Sequence, residues 1–281
     1  MDLVKSTNQL GTMFKRNVQA IENKRLERLI DSIVLCNVAS LVDTVAFFLN
    51  EENKCIYYVG PIRSIAARYY RLQNKSVVDL ESDGSNVPMY INSLDKTAKE
   101  SLNEFIHKHL GFRIRISTQK GFATIQLYED DNKKASNLLD VGFGFSQILP
   151  IVVNLWTITR ISGSSNRPRL RAHKSFIFAV EQPELHLHPE MQAKLIDAYI
   201  KLIDELKSTG ISLKIIFETH SQTMITRLGY NISKGLLHND NVGVYLFETN
   251  ASNGYTKIRK GKFNSKGQLT NWPRGFFIPE M

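Results

Sequence analysis

Between residues 140 and 250 the sequence switches repeatedly between helical and strand periodicity, and that order limits the folds open to it. "DVGFGFSQILPIVVNLWTITR" places an apolar run of helical length after two glycines, with a helix expected over 146–158. A strand follows at 175–181, then an amphipathic helix at 189–210 with Pro189 at its start and Gly210 at its end. "LKIIFETHS" (213–221) reads as a second strand, "QTMITRLGYNIS" as the next helix, and "VGVYLFET" and "GYTKIRK" as closing strands. Helix and strand in alternation predict an α/β fold with a mostly parallel sheet flanked by helices.

The chain before this block is less regular. The first fifty residues are rich in helix formers, and "KCIYYVGPIRS" (54–64) is a short β-rich run broken at Gly60-Pro61. Residues 65–93 are mixed and polar and read as a loop or insertion. A helix is expected over 93–110, capped by Ser93 and ended by Gly111. "FRIRIST" and "FATIQLY", on either side of "QKG", alternate like a β-hairpin. The expected division is a helical N-terminal segment over 1–54 and an α/β lobe over 55–281.

Length and composition exclude some classes. A chain of 281 residues can bury a sizeable core. No apolar run reaches the roughly 18 residues that would span a bilayer, and the N-terminus lacks the apolar region of a secretory signal. Cys36 and Cys55 have no CxxC spacing, which suits a reduced, cytoplasmic setting. A formal net charge of +9 favours an anionic partner such as nucleic acid. The densest basic cluster, Arg167 to Lys174, reads either as a solvated loop or as a nucleic-acid contact. Arg63 and Arg68 read as surface or ion-pair residues, and Trp272, Phe276 and Phe277 as packing for a C-terminal tail.

The chemistry concentrates where apolar strands end in polar groups. "FIFAVEQPELHLHPEMQ" (176–192) runs into Glu181 and Gln182; the second strand runs into Glu218, Thr219 and His220. In parallel α/β sheets ligands sit beyond the carboxyl ends of strands, so these groups converge if the two strands are neighbours. A carboxylate there can hold Mg²⁺, and a histidine can hydrogen-bond a phosphate. Gly142 and Gly144, ahead of a helix, let backbone N–H groups approach an anion. Two other readings stay open. His186 and His188, with Glu184 and Glu190 nearby, could ligate a transition metal or simply make loop and interface hydrogen bonds. His220 could equally be a satisfied structural histidine.

The order of these motifs resembles the C-terminal half of a soluble ABC-type ATPase of the AAA superfamily, in the branch that includes SMC, RecF and OLD-like proteins. "VEQPELHLHP" is similar to the Walker B and D-loop region of OLD-like and phage-defence ATPases, "DVGFGFSQILPIV" to their signature, and "ETHSQTMITRL" to their switch-histidine segment. The resemblance implies ATP and Mg²⁺ as cofactors. It implies that Glu181 helps to place Mg²⁺, that Gln182 takes the position of the water-activating glutamate, and that His220 lies near the γ-phosphate. Gly142, Gly144, Ser146 and Gln147 would approach ATP held by a second protomer, and His186, His188 and Pro189 would belong to the D-loop at the interface. It further implies a homo- or hetero-oligomer, a role in DNA repair or antiviral defence, a nuclease partner, nucleic acid as a candidate ligand, and no membrane.

Three departures from the family pattern accompany the resemblance. Gln182 is an amide, which orients water but is a poor base near neutral pH. The serine of the common signature is replaced in the Gly142–Phe143 neighbourhood. The phosphate loop G-x-x-x-x-G-K-[ST] (Walker A) is absent: Gly261-Lys262 is followed by Phe263, and Lys5-Ser6-Thr7 has no preceding glycines or strand. The expectation is therefore half of a composite site, its phosphate loop supplied by another chain or segment. The rival expectation is a non-catalytic regulatory or nucleic-acid-binding subunit with an ABC-like fold.

Overall fold

The computed structural model describes residues 12, 13, 15–17, 19, 21–28, 42, 43, 46, 47, 55–72, 77, 79–128, 135–163, 175–249 and 254–273. Arg167 to Lys174, Lys5 to Thr7, Cys36, Phe276 and Phe277 lie outside them. The chain divides into two compact units, Met1–Lys54 and Cys55–Met281. In the first unit the described residues are helical.

In the second unit, β1 (Ile56–Val59), β6 (Ser175–Glu181) and β7 (Ser212–Glu218) form a parallel sheet in the order β1-β6-β7. A second sheet is built on β4 (Phe122–Tyr128), with β3 (Arg113–Gln119) on one edge and the short β2 (Tyr70–Arg71) and β5 (Ser136–Asn137) pairing it as well. A third, antiparallel sheet holds β8 (Val244–Thr249), β9 (Thr256–Phe263) and β10 (Leu269–Thr270). The closing strands therefore do not extend the parallel sheet; its third strand is β1, from far upstream.

Five helices complete the described lobe: α1 (Val87–Ser93), α2 (Lys96–Leu110), α3 (Phe143–Gly163), α4 (Pro189–Ser208) and α5 (Gln222–Ser233). Local chemistry accounts for their ends. The Asp95 side chain accepts from Ala98 N–H at the start of α2, and Gly111 closes it at φ 85°, where glycine carries no Cβ penalty. Asp95, rather than the expected Ser93, is the cap, because Ser93 finishes α1 and its hydroxyl donates to Tyr90 O. The stretch 65–93, expected as a loop, carries β2 and α1. The β3–β4 turn places Lys120 and Gly121 at φ 49° and 80°, both left-handed, as a tight two-residue hairpin requires.

Helix α3 starts at Phe143, a turn earlier than expected, and is apolar on every side because it is enclosed. Ile148, Ile151, Val153, Leu155, Trp156 and Ile158 are all at most 1% exposed. It packs between α1 and α2 on one side and β1 and β6 on the other, while α4 packs on β7. Asn154 and Thr157 bond locally, donating to Pro150 O and Val153 O, whereas the buried Gln147 Nε2 has no hydrogen-bond partner. The parallel sheet buries the row Tyr57, Val59, Phe176, Phe178, Val180, Leu213, Ile215 and Phe217 in this core. Among the described residues no helix is long and apolar enough to cross a membrane.

Candidate functional site

Parallel pairing brings the polar strand ends together. Glu181 and Glu218 are register partners on β6 and β7, and Gln182 N–H donates to Glu218 O at 2.9 Å. His220 follows two residues after Glu218; its side chain is 70% exposed, with Nε2 3.9 Å from Glu218 Oε1. Tyr58, from β1, donates its hydroxyl to Glu181 Oε1 at 2.7 Å. That bond to a carboxylate, with some burial, pushes the Tyr58 phenol up from its ordinary range. Among the described residues neither Glu181 nor Glu218 has a lysine or arginine side chain as an ion-pair partner, and His220 lies nearest to Glu218.

The turn after β6 is held from behind. Gln182 sits at φ 43°, a left-handed conformation uncommon outside glycine. Arg63 supports it: Nη2 donates to the carbonyl oxygens of Glu181 and Gln182. Arg63 is only 4% exposed, so the expectation of a surface residue is corrected; Arg68 does form an ion pair, a fork onto Asp140. Burial pushes the Arg63 guanidinium down from its ordinary value, against the pull of Tyr199 and Glu184. Arg63 Nε and Nη1, Glu184 Oε2 and Tyr199 OH are all buried without a hydrogen-bond partner, while Glu184 Oε1 accepts from His220 N–H at 2.8 Å. Glu184 thus ties the β7 end to the β6 turn.

The next residues lead into α4. His188 is its N-cap, Nδ1 accepting from Glu190 N–H, and Pro189 opens the helix. Gln192 bridges outward: its Nε2 donates to Leu187 O at 2.9 Å, and its Oε1 accepts from Ser221 Oγ at 2.6 Å. Ser221 in turn caps α5. His186 is exposed at φ 61° and its ring meets Phe143 edge-on at 4.6 Å. Gly144 permits that approach, since a Cβ there would lie 2.4 Å from His186 O. Gly142 is glycine for a different reason: φ is 108°, with open space where a side chain would be.

The sequence-derived residues therefore fall into two groups. Glu181, Gln182 and His220 meet at the strand ends, joined by Tyr58 and Glu218. Gly144 packs against His186 at the start of α3, and Gly142, just before it, has open space beside it. Ser146 and Gln147 turn away from the surface: they are 6% and 2% exposed, and Ser146 Oγ donates to Phe143 O. Among the described residues no group of three or more His, Cys, Asp or Glu is placed to hold a metal ion. The edge can serve a hard dication that keeps most of its water, since Mg²⁺ is commonly held through one or two carboxylates plus substrate phosphates. Sequence reasoning missed Tyr58, read Arg63 as a surface or ion-pair residue, and weighed Glu184 only beside a possible transition-metal site. Only the strand alternation of "IYYV" hinted that Tyr58 would share a face with Glu181.

The family model for the AAA ATPase domain matches residues 39–225. No curated protein matches the sequence significantly. Among solved structures, one from work on ATP-driven dimerization and DNA-stimulated activation of SMC ATPases is 12% identical, with a TM-score of 0.38, over 58% of this chain and 82% of its own. The Smc head of Pyrococcus furiosus with an extended coiled coil, bound to the C-terminal domain of ScpA, is 10% identical with a TM-score of 0.33, over 58% of this chain and 34% of its own. The Smc head of Pyrococcus yayanosii with a coiled coil and joint is 10% identical with a TM-score of 0.34, over 60% of this chain and 27% of its own.

Proposed function

The chain belongs to the AAA ATPase domain family, and from that premise we propose that residues 55–281 form the signature and Walker B half of a composite, Mg-ATP-dependent site. One observation carries the reading: Glu181 and Glu218 lie side by side at the carboxyl ends of adjacent parallel strands, with His220 just beyond. Mg-ATP, when bound, supplies the phosphoryl group to be transferred to water. Glu181, whose Oε1 accepts from the Tyr58 hydroxyl, would help to hold the hydrated cation. Gln182 orients a water through its amide, and the exposed His220 ring donates to the γ-phosphate. Gly142 and the N–H groups opening α3 face ATP held by another protomer, with His186, His188 and Pro189 at that interface. Ser146 and Gln147 lie buried within α3. The wider role in this reading is DNA repair or antiviral defence beside a nuclease.

A second reading, a non-catalytic regulatory subunit, is favoured by Gln182, whose amide cannot accept a proton from water near neutral pH. Titration of the purified chain with a fluorescent ATP analogue and Mg²⁺ tests the half-site. No binding up to about millimolar is expected. Saturable binding that His220→Ala abolishes would mean the chain carries its own phosphate cradle. In a complex containing the missing loop, Glu181→Gln and His220→Ala should each abolish turnover, and unchanged turnover in both sinks the assignment.

A further inference from the structure

Strand β7 ends at Glu218, and beyond it the backbone is held by side chains. His220 N–H donates to Glu184 Oε1 at 2.8 Å, and Ser221 N–H to Thr219 Oγ1 at 3.0 Å. Glu184 belongs to the turn after β6, so that turn sets the segment carrying His220. Arg63 plays the matching part on the other side of the site, donating from Nη2 to the carbonyl oxygens of Glu181 and Gln182. Each of these two charged groups grips backbone, not the side chain of His220 or Gln182. Placing charged groups out of water costs free energy, and the N–H of a residue whose side chain is 70% exposed could bond to water instead. Yet Glu184 Oε2 and Arg63 Nε and Nη1 are buried, and Arg63 lies within electrostatic reach of both Glu184 and Tyr199. A costly pair of opposite charges thus stands behind the strand ends, with its hydrogen bonds directed at the two polar residues beyond them.

We propose that Glu184 is a positioning residue for His220: its Oε1 fixes the backbone from which the imidazole hangs, while Arg63 fixes the facing turn that carries Gln182. The inference rests on the ATPase reading of the strand ends and adds what holds their two polar residues at a set separation. Without the bond to Glu184, the segment after β7 can pivot about Glu218 and take the imidazole with it. Reach is what matters. Aspartate keeps the charge opposite Arg63 but is one methylene shorter; glutamine keeps an oxygen at the same reach without the charge. Gln192 provides a second tie, its Oε1 accepting from Ser221 Oγ at 2.6 Å. That bond keeps the segment attached to α4 when the side chain at 184 is shortened.

The test uses the full, isotope-labelled chain as wild type, Glu184→Asp, Glu184→Gln and, as a control elsewhere, Glu100→Gln, whose carboxylate is 62% exposed. NMR reads the His220 imidazole resonances, assigned by their loss in His220→Ala, and hydrogen exchange at the His220 amide. In Glu184→Asp the resonances should move and exchange should quicken about tenfold or more. Glu184→Gln and the control should stay near wild type. Unmoved His220 signals in Glu184→Asp, or the same change in Glu184→Gln, overturn the proposal. ATP turnover of the assembly separates it from the reading beneath it. A kcat lowered about tenfold or more in Glu184→Asp, with KM nearly unchanged and kcat restored in Glu184→Gln, is expected. Wild-type kcat in Glu184→Asp where His220→Ala abolishes turnover overturns the positioning role and leaves the ATPase reading standing. Turnover unchanged in His220→Ala, with His220 signals moved in Glu184→Asp, removes the ATPase reading and leaves Glu184 as the residue that sets His220.

Discussion

Gly144→Ala should unsettle the junction between the start of α3 and the turn after β6. The added Cβ would lie 2.4 Å from His186 O and 3.3 Å from the Leu187 side chain. Favourable carbon contacts lie near 3.5 Å, so helix or turn must yield by about 1 Å. Neither is free to do so. Leu187 N–H is bonded to Glu184 O at 3.0 Å, Gln192 holds Leu187 O, and the buried side chains of α3 fix the helix. Overpacking of this kind costs about 1–3 kcal/mol, while alanine recovers at most ~1 kcal/mol of helix propensity over glycine. The clash wins, with a net loss of roughly 1–2 kcal/mol. For a lobe of this size that lowers Tm by roughly 2–8 °C, measurable by thermal denaturation. Hydrogen exchange should quicken at the Leu187 amide. Gly142→Ala is the contrasting variant: it strains a left-handed backbone but displaces no neighbour, so Leu187 should keep its protection. A Gly144→Ala protein as stable as wild type, with Leu187 exchange unchanged, would refute the packing argument.

The remaining predictions concern charge and hydrogen bonding. Burial holds the His109 imidazole below its ordinary pKa of 6.5, and neither ring nitrogen has a partner. The unfolded chain therefore binds that proton first, so His109's share of stability is complete above about pH 6.5 and falls as pH drops below it. His109→Phe should flatten the urea midpoint between about pH 7.5 and pH 5; an unaltered slope contradicts this. Arg63→Met loses two charge-assisted bonds, about 1.5–3 kcal/mol each. It also removes a buried charge with two unpartnered donors, so global stability should move by only about 1–2 kcal/mol. Exchange at the Gln182 and Leu185 amides should nevertheless accelerate, and unchanged exchange there would show that Arg63 does not hold the turn. Gln182→Glu should raise ATP turnover in the completed assembly; equal or lower turnover would mean that water activation is not the deficit.

Much of this lobe was legible in the sequence, because the signals are short-range. Helix α5 occupies the predicted Gln222–Ser233, α4 opens at Pro189, and the β3–β4 hairpin turns at Lys120-Gly121. Each follows from residues a few positions apart: a cap, a proline, a left-handed glycine. The polar ends of β6 and β7 were readable for the same reason, as apolar runs stopping at Glu181 and Glu218. What only the tertiary structure decided lies between residues far apart in the chain. Strand β1, not β8, completes the parallel sheet. Arg63 is buried, 118 residues before the Glu181 carbonyl it holds, and Tyr58 reaches Glu181 across 123 residues. Gly144 was expected to face a ligand, and its close approach to His186 arises only once two segments pack. The exposure of Ile56, Tyr58 and Ile216 on one face of the parallel sheet is of the same kind. Alternation along a strand sorts side chains onto two faces, but which face meets helices depends on the path of the whole chain.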